Sequence, residues 1–249
     1  MAGVREIVLL TLGWEEVPRS MSIHGAPPEQ LMREPVPGVL LRCESGWLLL
    51  DTGLPPRRSN RDELGEELRR VGVDIDDIHA VAVSHLHYDH AGGLWHFADR
   101  APVHVQRAEL EYGLSAGPGP ERNDIQRVDF ENPRIDWRRA DGDVEIAPGV
   151  TAVLTAGHTP GHQSFVVELD ESVGGGGFVF AFDAADLTEN IEQELAVGGF
   201  IDVEPEQTVA RIRELKRIAA ERDYRLIPGH DPAVWPALST ELADYFRDH

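Results

Sequence analysis

The string His85-Leu86-His87-Tyr88-Asp89-His90 places three imidazoles and a carboxylate within six residues, directly after the apolar run Ala80 to Val83. No packed core tolerates four such groups unsatisfied, and imidazoles with carboxylates are the donors that zinc-like divalent cations take. A solvated polar loop is the bland alternative, but a string this dense is a poor accident of composition. The chain must therefore fold so that a buried strand ends in a cleft, the place where α/β proteins hold their chemistry.

Later stretches repeat the device. Gly157-His158-Thr159-Pro160-Gly161-His162 precedes a strand over 164–169, an apolar strand over 178–182 ends on Asp183, and a short strand over 225–227 ends at Pro228-Gly229-His230-Asp231. Other strands are expected over 4–12, 79–84, 103–106, 135–138, 143–146 and 150–155, with a hairpin of 38–42 and 46–51 turning at Glu44-Ser45. Ser59 or Asn60 is read as the cap of a helix carrying Leu64, Leu68 and Val71 and stopped by Gly72. Further helices are expected over 108–114 and 205–220, the latter with Val209, Ile212, Leu215 and Ile218 on one side. Gly174 to Gly177 reads as a hairpin loop and 117–132 as a charged loop. Trp14 to Pro37, rich in proline, is either an ordered flap over the site or a surface loop. Strands ending in ligand-bearing turns suggest two sheets with helices on their outer faces, although the strand count alone also fits one open sheet.

No linker divides the 249 residues, so the expectation is one domain over 1–249. A formal charge of −21, from 44 acidic against 23 basic residues, makes nucleic acid an unfavourable partner. Cys43 is the only cysteine, which excludes an internal disulfide and fits a reducing compartment; it reads as a small core residue. The segment Ile7 to Leu12 has no basic leader before it and no run approaches the roughly eighteen apolar residues that span a bilayer, so the expectation is a cytoplasmic protein without a membrane partner.

In their order, H-x-H-x-D-H, G-H-T-P-G-H, an aspartate at a strand end and a late Gly-His resemble the metallo-β-lactamase superfamily. Within it, His158-Thr159-Pro160-Gly161-His162-Gln163-Ser164, Asp183 with Leu187-Thr188-Glu189-Asn190, and Pro228-Gly229-His230-Asp231 resemble the quorum-quenching N-acyl-homoserine lactone lactonases. The resemblance implies an α/β fold, an αββα sandwich of two mixed β-sheets flanked by helices. It also implies two divalent metal ions, expected to be zinc: one held by His85, His87 and His158, the other by Asp89, His90 and His230, with Asp183 bridging. Seven ligands are too many for one tetrahedral zinc, and a carboxylate has two oxygens with which to bridge. The implied function is opening of a lactone ring by attack of a metal-bridging hydroxide, with Asp183 and Asp89 catalytic and Asp89 passing a proton to the leaving alkoxide. His162 is read as steadying the turn rather than binding metal, and Asp51 as orienting a ligand imidazole. His24, His79, His96, His104 and His249 are read as surface or packing residues.

Two positions depart from the lactonases. Their tyrosine three residues after the bridging aspartate is here Asp186, expected to be ionised and unable to donate a hydrogen bond, which leaves Tyr88 as the nearest substitute. Their longer apolar insertion after Asp51-Thr52-Gly53 is here the short, basic stretch Leu54 to Arg61, so a shallow dependence on acyl length is expected. Rival readings are a thioesterase of the glyoxalase II type, a β-lactamase or a phosphodiesterase on the same site. An iron oxidoreductase is disfavoured because such relatives have Glu where His87 stands, and a vestigial binding protein because every ligand position is filled.

Overall fold

A computed structural model describes residues 3–115, 125–199 and 204–247. Eleven strands among these form two mixed sheets. In the first, β1 (Ile7–Pro18), β2 (Leu31–Cys43) and β3 (Gly46–Leu50) run antiparallel, and β4 (Ile78–Ala82), β5 (Pro102–Gln106) and β6 (Asp136–Ala140) continue parallel to β3. The second has the order β11-β10-β9-β8-β7, from β7 (Val144–Ala147), β8 (Val150–Leu154), β9 (Gln163–Glu168), β10 (Gly177–Phe180) and β11 (Arg225–Ile227). Only its β10–β11 pair is parallel.

The period of two along each strand builds three apolar layers. Val39, Leu41, Leu48, Leu50 and Ala82 point between the sheets, where they meet Ala152, Phe165, Val167, Phe178 and Phe180. Their alternates Leu40, Leu49 and Val81 face outward onto Leu64 and Leu68 of the Glu63–Val71 helix. On the far side Val153, Val166 and Val179 pack on Ile212, Leu215 and Ala219 of the Pro205–Arg222 helix. The result is the expected sandwich, helix on sheet on sheet on helix.

Element boundaries shift for identifiable reasons. Asp62 caps the Glu63–Val71 helix by accepting from the Gly65 amide, while Asn60 takes a left-handed conformation that ends a separate turn, Pro56–Ser59. The 205–220 helix extends to Arg222 and buries Thr208, Ile212, Leu215 and Ala219, so Val209 is off the buried stripe. Trp14 to Pro37 is the ordered flap, built mainly of strand: β1 and β2 continue past a bulge at Gly13 as a two-stranded arm, pairing Trp14 with Pro35, Glu15 with Glu34 and Val17 with Met32, and a turn at Arg19–Met21 with a loop over 22–30 closes its tip. Pro35 and Pro37 are tolerated because β2 there has outrun β3 and needs no donors on that side. The Val234–Arg247 helix escaped the sequence because Pro236 sits in its first turn, where proline costs little. Of the charged loop, 117–124 lies outside the described residues, and the remainder includes a helical turn, Arg127–Phe130. No helix among the described residues is long and apolar enough to cross a membrane.

Candidate metal centre

Strand ends from both sheets converge at one edge of the sandwich. Asp51 follows β3, Ser84 and His85 follow β4, His158 lies in the β8–β9 turn, and Asp183 and His230 follow the parallel pair β10 and β11. All seven residues that the resemblance implied as ligands are brought together, in two groups whose donor atoms lie within 4.8 Å of one another: His85, His87, His158 and Asp183, and Asp89, His90 and His230.

The donor atoms of the two groups face one another at hydrogen-bond distance or slightly beyond. His87 Nδ1 sits 2.9 Å from both His85 Nε2 and His158 Nε2. Asp183 faces both groups: its Oδ2 lies 3.3 Å from His158 Nε2 and 3.8 Å from His85 Nε2, while its Oδ1 lies 3.2 Å from both His90 Nε2 and His230 Nε2. Buried His90 Nε2 is also 3.3 Å from Asp89 Oδ2, yet it makes no hydrogen bond to either carboxylate. Ligands about 2.0 to 2.2 Å from a tetrahedral zinc stand about 3.4 Å apart, so this donor set fits two such cations, with Asp183 between them.

The far sides of three imidazoles, His85, His90 and His230, have partners. His90 Nδ1 donates to Asp51 Oδ2 at 2.7 Å, and Asp51 also accepts from the Ser84 amide at 2.6 Å and the Ser84 hydroxyl at 2.7 Å. His230 Nδ1 donates to the Pro35 carbonyl at 3.0 Å, and Ser84 Oγ stands 3.0 Å from His85 Nδ1. Holding a proton on Nδ1 leaves Nε2 as the lone-pair nitrogen. Asp51 itself is fully buried, with a left-handed backbone (φ 59°) that aspartate tolerates better than most residues.

Charge separates the two groups. Burial lowers His87 to about 4 and His158 to about 3 and drives His85 well down, so all three are neutral. His90 is raised well above the usual histidine range despite its burial, by Asp183, Asp89 and Asp51; Asp183 and Glu34 do the same to His230. Asp183 is correspondingly held well below the carboxylate range, against its burial, by His90 and His230. The carboxylates thus draw positive charge toward the second group, the place a cation would take.

The arm of β1 and β2 forms one wall of the cleft. Glu15, Val17, Met21 and Glu34 line it opposite His87, Tyr88, Asp89, His158, Asp183, Asp186 and His230. It is fastened at its tip by the Arg19–Glu189 ion pair and by Asn190 Nδ2 donating to the Ser22 carbonyl. Two expectations change here. Tyr88 donates its hydroxyl hydrogen to Glu15 at 2.8 Å, so it is not a free donor. Burial and then the Asp183 charge push Asp186 well up, and its buried Oδ1 has no hydrogen-bond partner. Burial and the Asp183 charge thus favour the protonated carboxyl at Asp186 where no cation is bound, and cations would push it back toward the ionised form expected from the sequence.

Sequence reasoning passed over Glu109, which lies in the first turn of the Arg107–Ser115 helix where a glutamate usually faces water. It is fully buried and accepts from the Leu86 amide, the Thr159 hydroxyl and the Gly161 amide. His162 is fully buried, with Nδ1 2.8 Å from Thr155 Oγ1, and lies outside both donor groups. His24 and His79 are exposed, His96 pairs with Asp62, His104 is half-buried on β5, and His249 is outside the described residues.

The metallo-beta-lactamase superfamily model matches residues 33–230. The N-acyl homoserine lactonase of Bacillus thuringiensis is 33% identical over 224 residues, 82% of this chain and 84% of that protein. A crystal structure of a quorum-quenching N-acyl homoserine lactone lactonase superposes with a TM-score of 0.82 at 31% identity, covering 94% of this chain and 95% of that one. An N-acyl homoserine lactone hydrolase with the product N-hexanoyl-L-homoserine bound at its catalytic metal centre gives a TM-score of 0.81 at 30% identity, covering 93% and 95%.

Proposed function

The chain belongs to the metallo-β-lactamase superfamily and, within it, to the family of the N-acyl homoserine lactonases; on that premise we propose that it opens the lactone ring of N-acyl homoserine lactones. His85, His87, His158 and Asp183 would hold one zinc ion, and Asp89, His90, His230 and Asp183 a second. Such cations supply Lewis acidity toward a carbonyl and a water acidic enough to be deprotonated near neutral pH. The chain's own part is positional. Asp51 and the Pro35 carbonyl keep Nε2 of His90 and His230 turned inward, and Asp183 sets the spacing between the two groups. Asp89, held ionised at about 2 by His90 and His230 despite its burial, is the carboxylate that in this reading would carry a proton to the departing ring oxygen once bound cations replace those two charges.

The observation that carries the substrate reading is the cleft lining. Among the described residues it contains no lysine or arginine, and it adds Glu15, Glu34 and Asp186 to the metal-binding carboxylates. β-Lactams, glutathione thioesters and phosphodiesters all bring negative charge, for which this lining offers no lysine or arginine partner; an acyl homoserine lactone is neutral and needs none.

A turnover panel tests this. Acyl homoserine lactones are expected to exceed a β-lactam, a glutathione thioester and a phosphodiester in kcat/KM by about 100-fold or more, equivalent to about 3 kcal/mol of transition-state discrimination. The arm offers only Val17 and Met21 as apolar contacts. Burying eight added methylenes would contribute about 6 kcal/mol, so a rise of less than about tenfold from four to twelve acyl carbons is expected. Faster turnover of any anionic substrate would overturn the reading.

Asp51 gives a second test. Asp51→Asn keeps the shape but weakens the acceptor for His90 and Ser84. Metal affinity should fall by roughly 10- to 100-fold, measured by competition with a chromophoric chelator. Unchanged affinity would show that the contact does not orient a ligand.

A further inference from the structure

Three hydrogen bonds to one carboxylate join the two histidine-bearing loops that come from different sheets. Glu109 Oε1 accepts from the amide of Leu86, the residue between His85 and His87, at 2.9 Å. Its Oε2 accepts from the hydroxyl of Thr159, the residue after His158, at 2.6 Å, and from the Gly161 amide at 3.0 Å. The packing around it is equally close. A Cβ on Gly161 would lie 2.1 Å from the Glu109 backbone nitrogen, and one on Gly113, a turn further along the same helix, would lie 2.9 Å from the Leu86 side chain. The Arg107–Ser115 helix thus touches both loops at once, and Glu109 contacts neither the donor atoms nor the cleft.

We propose that Glu109 is a positioning residue, a carboxylate clamp that sets the distance between the β4 loop and the β8–β9 turn and so holds His87 and His158 in register for a shared cation. Only a group with two acceptor oxygens can take an amide from one loop while taking a hydroxyl and an amide from the other. A glutamine of the same shape has one oxygen, and in either orientation its NH2 would face a backbone N–H, that of Leu86 or that of Gly161. One loop would then lose its tether while the helix stays packed. This rests on the reading of His85, His87, His158 and Asp183 as a cation site.

The test is zinc affinity of the full-length protein, by competition with a chromophoric chelator, alongside the visible absorption of the cobalt(II) form and the melting temperature of the metal-free protein. Glu109→Gln should weaken binding of one of the two ions by roughly 10- to 100-fold and alter the cobalt spectrum, leaving the other ion's affinity near wild type. Thr159→Val removes one of the three donors without touching Glu109, and covers the case in which Glu109→Gln does not fold. It should weaken the same ion, by less. If both variants, or Thr159→Val alone where the other fails to fold, bind two ions as tightly as wild type with an unchanged cobalt spectrum, Glu109 is only a buried structural carboxyl and the proposal is wrong, whatever happens to the melting temperature. A wild-type chain that binds no zinc would instead overturn the cation-site reading itself.

Discussion

Asp183→Ala is expected to be the most damaging single substitution in the protein, lowering bound metal below one ion per chain and kcat/KM by about a thousand-fold or more. The reason is geometric. Among the described residues Asp183 is the one whose two oxygens face different donor groups, Oδ2 toward His85 and His158 and Oδ1 toward His90 and His230. Its removal takes an anionic ligand from both groups at once, leaving His85, His87 and His158 with no carboxylate in their group and Asp89 as the one carboxylate in the other. Residues that only orient ligands have effects of roughly 10- to 100-fold, and His162→Ala should fall within that range, because His162 meets Thr155 and lies outside both donor groups. Metal analysis and steady-state kinetics on both variants check the ranking. Equal losses would mean that Asp183 is not shared between two cations.

How much of this was legible in the sequence follows from what each residue has to do. A cation site requires particular donor atoms, so the His85–His90 string and the later strand ends bearing His or Asp stood out by residue type, the exact set of seven followed from the resemblance to the lactonases, and the structure places all seven at one edge. Asp51 could be read because an aspartate directly after a strand, before Thr52-Gly53, has few other uses. Glu109 could not. A glutamate in the first turn of a helix has an ordinary explanation in the helix dipole, and only the close approach of two distant loops turns it into a buried acceptor of three donors.

The arm was hidden for the opposite reason. Pro18, Pro35 and Pro37 read as loop punctuation, yet β1 and β2 run past the neighbouring strand there and leave proline's missing donor without consequence. Its burial of Glu34 was equally invisible: burial raises that carboxyl to about 7, beside His230 and in the cleft wall. The layered sandwich itself was foreshadowed by the alternating strands, but the choice between two sheets and one depends on β6 and β7 lying in different sheets, with only a short turn between them. No periodicity reports that break.

Metal removal is the other change with a near-total expected effect, since every donor described here is arranged around cationic charge that the chain itself does not supply. Dialysis against a strong chelator should abolish lactone hydrolysis, with far-ultraviolet circular dichroism retained because the three apolar layers do not include the donor groups. The decisive measurement is titration of that metal-free protein with zinc while lactone turnover is followed on the same sample. The account predicts that activity reaches its plateau at two equivalents per chain; full activity at one equivalent, or none at two, would contradict it.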